Sequence, residues 1–139
     1  MSLPRGIRNN NPGNIRWGSN WQGLVPQDKR TDKSFCQFKD SIHGLRAMVK
    51  IMFTYRDKYG LNTVESIIHR YAPPNENNTQ GYIMRVCNTL GVLPTQTITL
   101  SNSVLIELVR AITAVENGNL YYHYYSTELI ERAIELAKN

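Results

Sequence analysis

Apolar positions along this 139-residue chain change their spacing near Phe38. Before that point Gly, Asn, Pro and Trp crowd the sequence, and no apolar residue recurs at helical spacing. This part is expected to be loop with a small β-hairpin near the N-terminus, its strands at residues 14–17 and 34–38. Beyond it a 3.6-residue period takes over. Ile42, Leu45, Met48, Val49, Met52 and Phe53 form one stripe behind a capping Ser41, with Gly60 as the stop. Thr63 caps a shorter helix carrying Val64, Ile67 and Ile68, which Pro73 and Pro74 end. Thr79 opens another through Tyr82, Ile83, Val86 and Leu90, stopped by Gly91. Ser101 or Ser103 opens the next, through Leu105, Leu108, Val109 and Ile112 to Gly118. Ser126 or Thr127 caps a last helix with Leu129, Ile130, Ala133, Ile134 and Ala137. The pattern predicts one mainly α domain over residues 1–139, with no internal repeat.

Composition narrows the class. With 41% hydrophobic and 19% charged residues, the chain is ordinary for a globular protein and can bury a sizeable core. No run approaches the roughly 18 apolar residues of a membrane-spanning helix. Residues 1–11 carry basic side chains with no apolar stretch behind them, so no signal peptide is expected. A target outside the cytoplasm would then be reached through a holin-type pore or on a virus particle. The net charge of +5 points to an anionic partner: nucleic acid, anionic lipid or the bacterial wall. Scattered basic residues, with no concentration on one helix, speak against nucleic acid. Cys36 and Cys87 read as buried thiols. His43, His69 and His123 are dispersed, and no metal-ligand, nucleophilic-serine or phosphate-loop motif is present, so neither a metal nor a cofactor is expected.

One carboxylate is out of place. The stripe Leu105, Leu108, Val109, Ile112 continues on the same helical face to Glu116. A carboxylate there is partly withdrawn from water, which favours its neutral form. It also falls in the last turn, where the helix dipole disfavours negative charge by about 0.3–1 kcal/mol. Both effects raise the pKa, desolvation more strongly, and this is what a general acid needs near neutral pH. On the pattern alone, a Glu that reaches into solvent at a frayed helix end is the stronger reading.

Longer motifs reverse that balance. The stretch AITAVENG from Ala111 to Gly118 resembles the A-x-x-x-x-E-S-G end of the catalytic helix in soluble lytic transglycosylases and flagellar peptidoglycan hydrolases, whose Glu is the acid/base. NNPGNI from Asn10 to Ile15, followed by Trp21-Gln-Gly23, is similar to the segment after the catalytic Glu in the flagellar enzymes. Phe35-x-x-Phe38 before Ser41 resembles their F-R-x-Y-x-S stretch. TQGYIMRV from Thr79 to Val86 resembles the E-T-x-x-Y-V-x-x-V motif, whose Tyr lines the transglycosylase active site. In those families the catalytic helix comes first; here the corresponding helix comes after the other motifs, which implies a circularly permuted, α+β lysozyme-like fold. More specifically, the chain resembles lysozyme-like or virion structural proteins of phages and prophages. These share RGIRNNNPGNIRW (Arg5 to Trp17), the G-L-R-A helix (Gly44 to Ala47), the A-P-P-x-E-N-x-T loop (Ala72 to Thr79) and E-N-G.

The resemblance implies cleavage of peptidoglycan at the MurNAc-β-1,4-GlcNAc bond, with Glu116 as acid/base. It further implies a protein carried on a phage particle or released to the wall and periplasm, with other virion proteins as partners. A hydrolytic muramidase would add a second carboxylate, and Asp28, Asp32 and Glu76 are the candidates. None has a compelling spacing, so the single-Glu transglycosylase reaction, which ends in a 1,6-anhydro sugar, is slightly favoured. Asn11, Asn14, Trp17, Glu76, Thr79 and Tyr82 are the expected substrate-binding residues. Core or loop-anchoring roles stay open for Trp17, Glu76 and Tyr82, and the Tyr121–Tyr125 run is either a sugar wall or a packed loop. The rival class is a phage structural protein that keeps the fold without activity.

Overall fold

The computed structural model describes residues 2–139. Met1, where the single-domain reading and the reading of the N-terminal segment begin, lies outside them. Among the described residues the elements run α1 (Arg5–Arg8), α2 (Ser41–Tyr59), α3 (Val64–Tyr71), α4 (Thr79–Leu90), α5 (Asn102–Asn117) and α6 (Thr127–Ala137), with single 3₁₀ turns at Gln27–Lys29 and Asn119–Tyr121. Helix α5 is the hub, packed by α1, α2, α4 and α6. Its stripe residues Leu105, Leu108, Val109 and Ile112 are at most 1% exposed. They meet Leu45, Met48 and Met52 of α2 and Ile130 and Ile134 of α6 in one core. Each such side chain contributes about 1.5–3 kcal/mol on leaving water.

Helix ends follow local chemistry. Gly60 and Gly91 close α2 and α4 in the left-handed conformation. Thr63 and Ser66 form a reciprocal capping box on α3. Ser101 and Ser126 cap α5 and α6. At two starts the cap lies one residue before the expected one. Asp40 accepts the His43 backbone N–H while Ser41 is already helical, and Asn78 accepts the Gly81 N–H while Thr79 is already helical. Thr79 then has its hydroxyl free, and donates it to the Ala72 carbonyl at 2.6 Å. This ties the Pro-Pro-Asn-Glu-Asn-Asn loop back on itself.

The β-hairpin is not there. Among the described residues no strand forms; the two segments meet at one isolated bridge, Arg16 with Phe35, and Phe38 bridges instead to Leu24, outside the first segment. Side chains take the backbone groups that a ladder would use. Asp32 accepts the N–H groups of Ser34 and Phe35, both at 2.9 Å. The buried amide of Asn11 donates to the carbonyls of Ile15 and Cys36 and accepts the Ile15 N–H. Asn14, at φ 49°, bends the chain where the first strand was expected to begin. The mainly α expectation stands, and the α+β reading is replaced by helices plus a long, side-chain-stapled loop.

That loop lies directly on α2. A Cβ at Gly44 would fall 1.8 Å from the Asn10 carbonyl oxygen, so only glycine permits this approach. Cys36, Phe38 and Ala47 form a second, smaller cluster, with both Trp17 and Trp21 packed against it. Cys36 and Cys87 are buried free thiols. The single turn α1 lies within the stretch expected to be loop, because one turn following Pro4 carries no periodic signal.

Candidate active site

Three distant parts of the chain meet at Glu116. Helix α5 presents its carboxylate from the last turn, α4 brings Tyr82, and the turn after α1 brings Asn14. The Asn14 Nδ2 donates to Oε1 at 3.0 Å, and the Tyr82 hydroxyl donates to Oε2 at 2.9 Å. Burial raises the Glu116 pKa above its ordinary 4.5, although both hydrogen bonds pull it down by favouring the charged form. Tyr82 is itself buried, and burial together with the Glu116 charge pushes its phenol well above 10.

Several contacts hold this arrangement in place. Asn117 donates from its Nδ2 to the Pro12 carbonyl at 2.8 Å and to the Thr113 carbonyl at 3.1 Å, pinning the Pro12–Asn14 turn to the end of α5. Gly6 lies beneath it: a Cβ there would come within 2.5 Å of the Asn117 Oδ1 and 2.8 Å of the Asn14 Oδ1. Tyr71 donates its hydroxyl to the Gly13 carbonyl, fixing the same turn from α3. The Asn and Gly neighbours in the motifs therefore hold the turn that carries Asn14.

Glu116 stands where two open clefts adjoin. One, about 370 Å³, is lined by residues that include Asn14, Arg16, Phe35, Tyr71 and Glu76. The other, about 620 Å³, is lined by residues that include Asn78, Tyr82, Arg85 and Asn119. Asn77 and Glu116 border both. The carboxyl is thus bordered by open space on either side.

The remaining expected residues are distributed as follows. Glu76 is exposed and lines the smaller cleft. Asn11 and Thr79 are buried and spend their polar groups on backbone partners, and neither borders a cleft. Trp17 donates its indole N–H to the Asp32 carbonyl, and Arg30 lies over its ring, away from both clefts. Asp32 accepts both arms of the Arg5 guanidinium at 2.7 Å and the Asn9 amide, which hold its carboxyl far below the usual range. Asp28 is exposed in the first 3₁₀ turn, outside both clefts. In the tyrosine run, Tyr125 enters the core and Tyr122 donates to Glu107, so this segment packs down as a loop. Among the described residues no three His, Cys, Asp or Glu side chains are placed to hold a metal ion.

Sequence reasoning missed Tyr71, Arg16 and Phe35 as cleft residues. Arg16 and Phe35 belong to segments already singled out, but nothing in their spacing tells which wall of a cleft they form. Tyr71 directly precedes the Ala-Pro-Pro motif, which was the only available signal.

Comparison with known proteins puts the chain among phage proteins. It is 41% identical over 124 residues to Protein P5 of Pseudoalteromonas phage PM2, across 86% of this chain and 75% of that protein, and belongs to the same family. No family model matches the sequence. No helix among the described residues is long and apolar enough to cross a membrane.

Proposed function

We propose that the chain cuts peptidoglycan glycan strands at the MurNAc-β-1,4-GlcNAc bond, with Glu116 as general acid and then general base. The observation that carries this reading is a carboxyl whose pKa burial raises, held by two side chains and bordering a cleft on each side. The lysozyme-like motifs around Glu116, Asn14 and Tyr82 support the same reading, and the phage relationship fits a wall-directed role on a virion or at cell lysis.

In the first step Glu116 gives its proton to the glycosidic oxygen as the C1–O bond breaks and the muramic acid ring takes on oxocarbenium character. The carboxylate left behind is stabilised by the Asn14 amide and the Tyr82 hydroxyl. It then takes the proton of the sugar's own C6 hydroxyl as that oxygen bonds to C1, giving a 1,6-anhydro end and restoring the acid. The commitment of Asp32 to Arg5 and the placement of Asp28 outside the clefts favour this single-carboxylate route. Glu76 shares a cleft with Glu116, which supports a hydrolytic muramidase as the second reading.

Mass spectrometry of muropeptides released from purified sacculi by wild type and Glu116→Gln tests both. Anhydro-ended products from wild type alone are expected. Reducing-end muramic acid would assign the hydrolytic route and bring Glu76 into it. No release by wild type would leave a structural phage protein, and equal release by both proteins would remove Glu116 from the chemistry.

A further inference from the structure

Two arginines share the ring of Phe35, and they differ in what else they touch. The Arg5 guanidinium lies 4.5 Å from the ring centroid and is fully committed to Asp32 through paired bonds of 2.7 Å. Arg16 lies 5.0 Å from the same centroid, on the wall of the smaller cleft. Its guanidinium makes no hydrogen bond among the described residues. Its nearest counter-charge is Glu76, at 3.9 Å, and the two side chains are 59% and 50% exposed. An exposed pair at that separation is worth about 0–1 kcal/mol and exchanges readily for a better partner. Phe35 holds the guanidinium by stacking and leaves its forked donors open, a geometry suited to a carboxylate.

We propose that Arg16 is a specificity-determining residue that binds a carboxylate borne by the substrate, displacing Glu76 from its side. This rests on the peptidoglycan reading above, in which the ligand's anionic groups are the carboxylates of the attached peptide, or the lactyl carboxylate of a muramic acid that carries no peptide. A neutral glycan of the same backbone offers Arg16 nothing. The arginine therefore favours wall glycan over uncharged β-1,4 polymers, by a contact made at the edge of the cleft and not at the reacting carbon.

The test compares sacculi in native form with sacculi whose carboxyl groups have been converted to methylamides. Cleavage is followed with wild type, Arg16→Gln and Lys58→Gln, the last removing the same charge outside both clefts. Sedimentation binding to both polymers is measured for the same set in a Glu116→Gln background. On native sacculi Arg16→Gln is expected to lower kcat/KM and binding about tenfold, with Lys58→Gln near wild type. On amidated sacculi wild type and Arg16→Gln are expected to converge. Equal losses for Arg16→Gln on both polymers, or equal losses for Arg16→Gln and Lys58→Gln, would overturn the proposal. If wild type releases nothing, the cleavage reading fails, while the binding arm still decides whether Arg16 reads a carboxylate.

Discussion

Asn14 and Glu116 are 102 residues apart in the chain and 3.0 Å apart in the structure, the amide of one donating to the carboxylate of the other. Asn14 reaches that position from a left-handed backbone, at φ 49°, which asparagine tolerates better than most residues. The contact therefore joins a strained turn to a carboxylate held in a partly dry place. Both features cost stability, and both place groups at a cleft, a combination common at functional sites.

Replacing Glu116 by Gln should separate the second of these costs from activity. Because the folded-state pKa is raised, the native state holds more protons than the unfolded chain between the ordinary value of 4.5 and the folded one. Stability is then lost as pH rises through that window. The Gln variant carries no such loss and should be more stable than wild type at pH 7 by about 1 kcal/mol, with the gain vanishing below pH 4. Activity should fall roughly 10²-fold or more. Urea titrations at the two pH values, run beside muropeptide release, check both parts. A variant less stable at pH 7 would mean that the carboxylate is stabilising where it stands.

Tyr82→Phe removes a donor to the carboxylate while keeping the ring that fills the core. The hydroxyl favours the charged form of Glu116, so its loss raises that pKa further. The alkaline limb of the rate–pH profile should move to higher pH. The plateau rate should drop roughly tenfold, because the carboxylate formed in the first step loses a hydrogen bond. A limb that stays in place or moves down would detach Tyr82 from the acid.

Much of this was legible in the sequence, for reasons that also mark where legibility ends. Glu116 stood out because a carboxylate on an apolar stripe is a local contradiction, and Tyr82 and Asn14 lay in motifs with recognisable spacing. The hairpin was misread because residues 14–17 and 34–38 have the composition of strands, while Arg5, Asn9 and Asn11 decide what happens there. By holding Asp32 and the Ile15 and Cys36 backbone, these side chains satisfy the groups that pairing would need. Cleft walls such as Arg16 and Tyr71 come from how the long loop and α3 pack together, which no local period encodes. Trp17 and Asn11 were placed in the right segment with the wrong emphasis, since a motif residue can serve the scaffold as well as the ligand.

Gly44 is the clearest example of a motif residue kept for packing. With a Cβ 1.8 Å from the Asn10 carbonyl oxygen, Gly44→Ala must push the N-terminal turn off α2. The expected loss is about 3 kcal/mol, typical of forced overpacking, despite alanine's better helix propensity. Because Asn14 belongs to the displaced segment, activity should fall even below the melting transition. Thermal unfolding and activity at a temperature where the variant is still folded measure the two effects. An alanine variant as stable as wild type would show that the loop does not need to approach this closely.

Asp32 offers the matching test for the long loop. Its carboxylate gathers Arg5, Asn9 and two backbone N–H groups, so its folded pKa lies well below the ordinary 3.8. For a depressed pKa the unfolded chain binds more protons, so the stabilisation is complete above the ordinary value and is lost as pH falls below it. Asp32→Asn keeps the shape but cannot accept both arms of the guanidinium. Screening at the half-exposed Arg5 keeps the expected cost at pH 7 to about 2 kcal/mol. The variant should also lose the part of the acid sensitivity that wild type shows below pH 4, so the two stability curves should approach each other as pH falls. Parallel curves from pH 7 to pH 3 would mean that the Arg5–Asp32 pair contributes little. The loop would then depend on Asn11 and the Trp17–Trp21 cluster for its form.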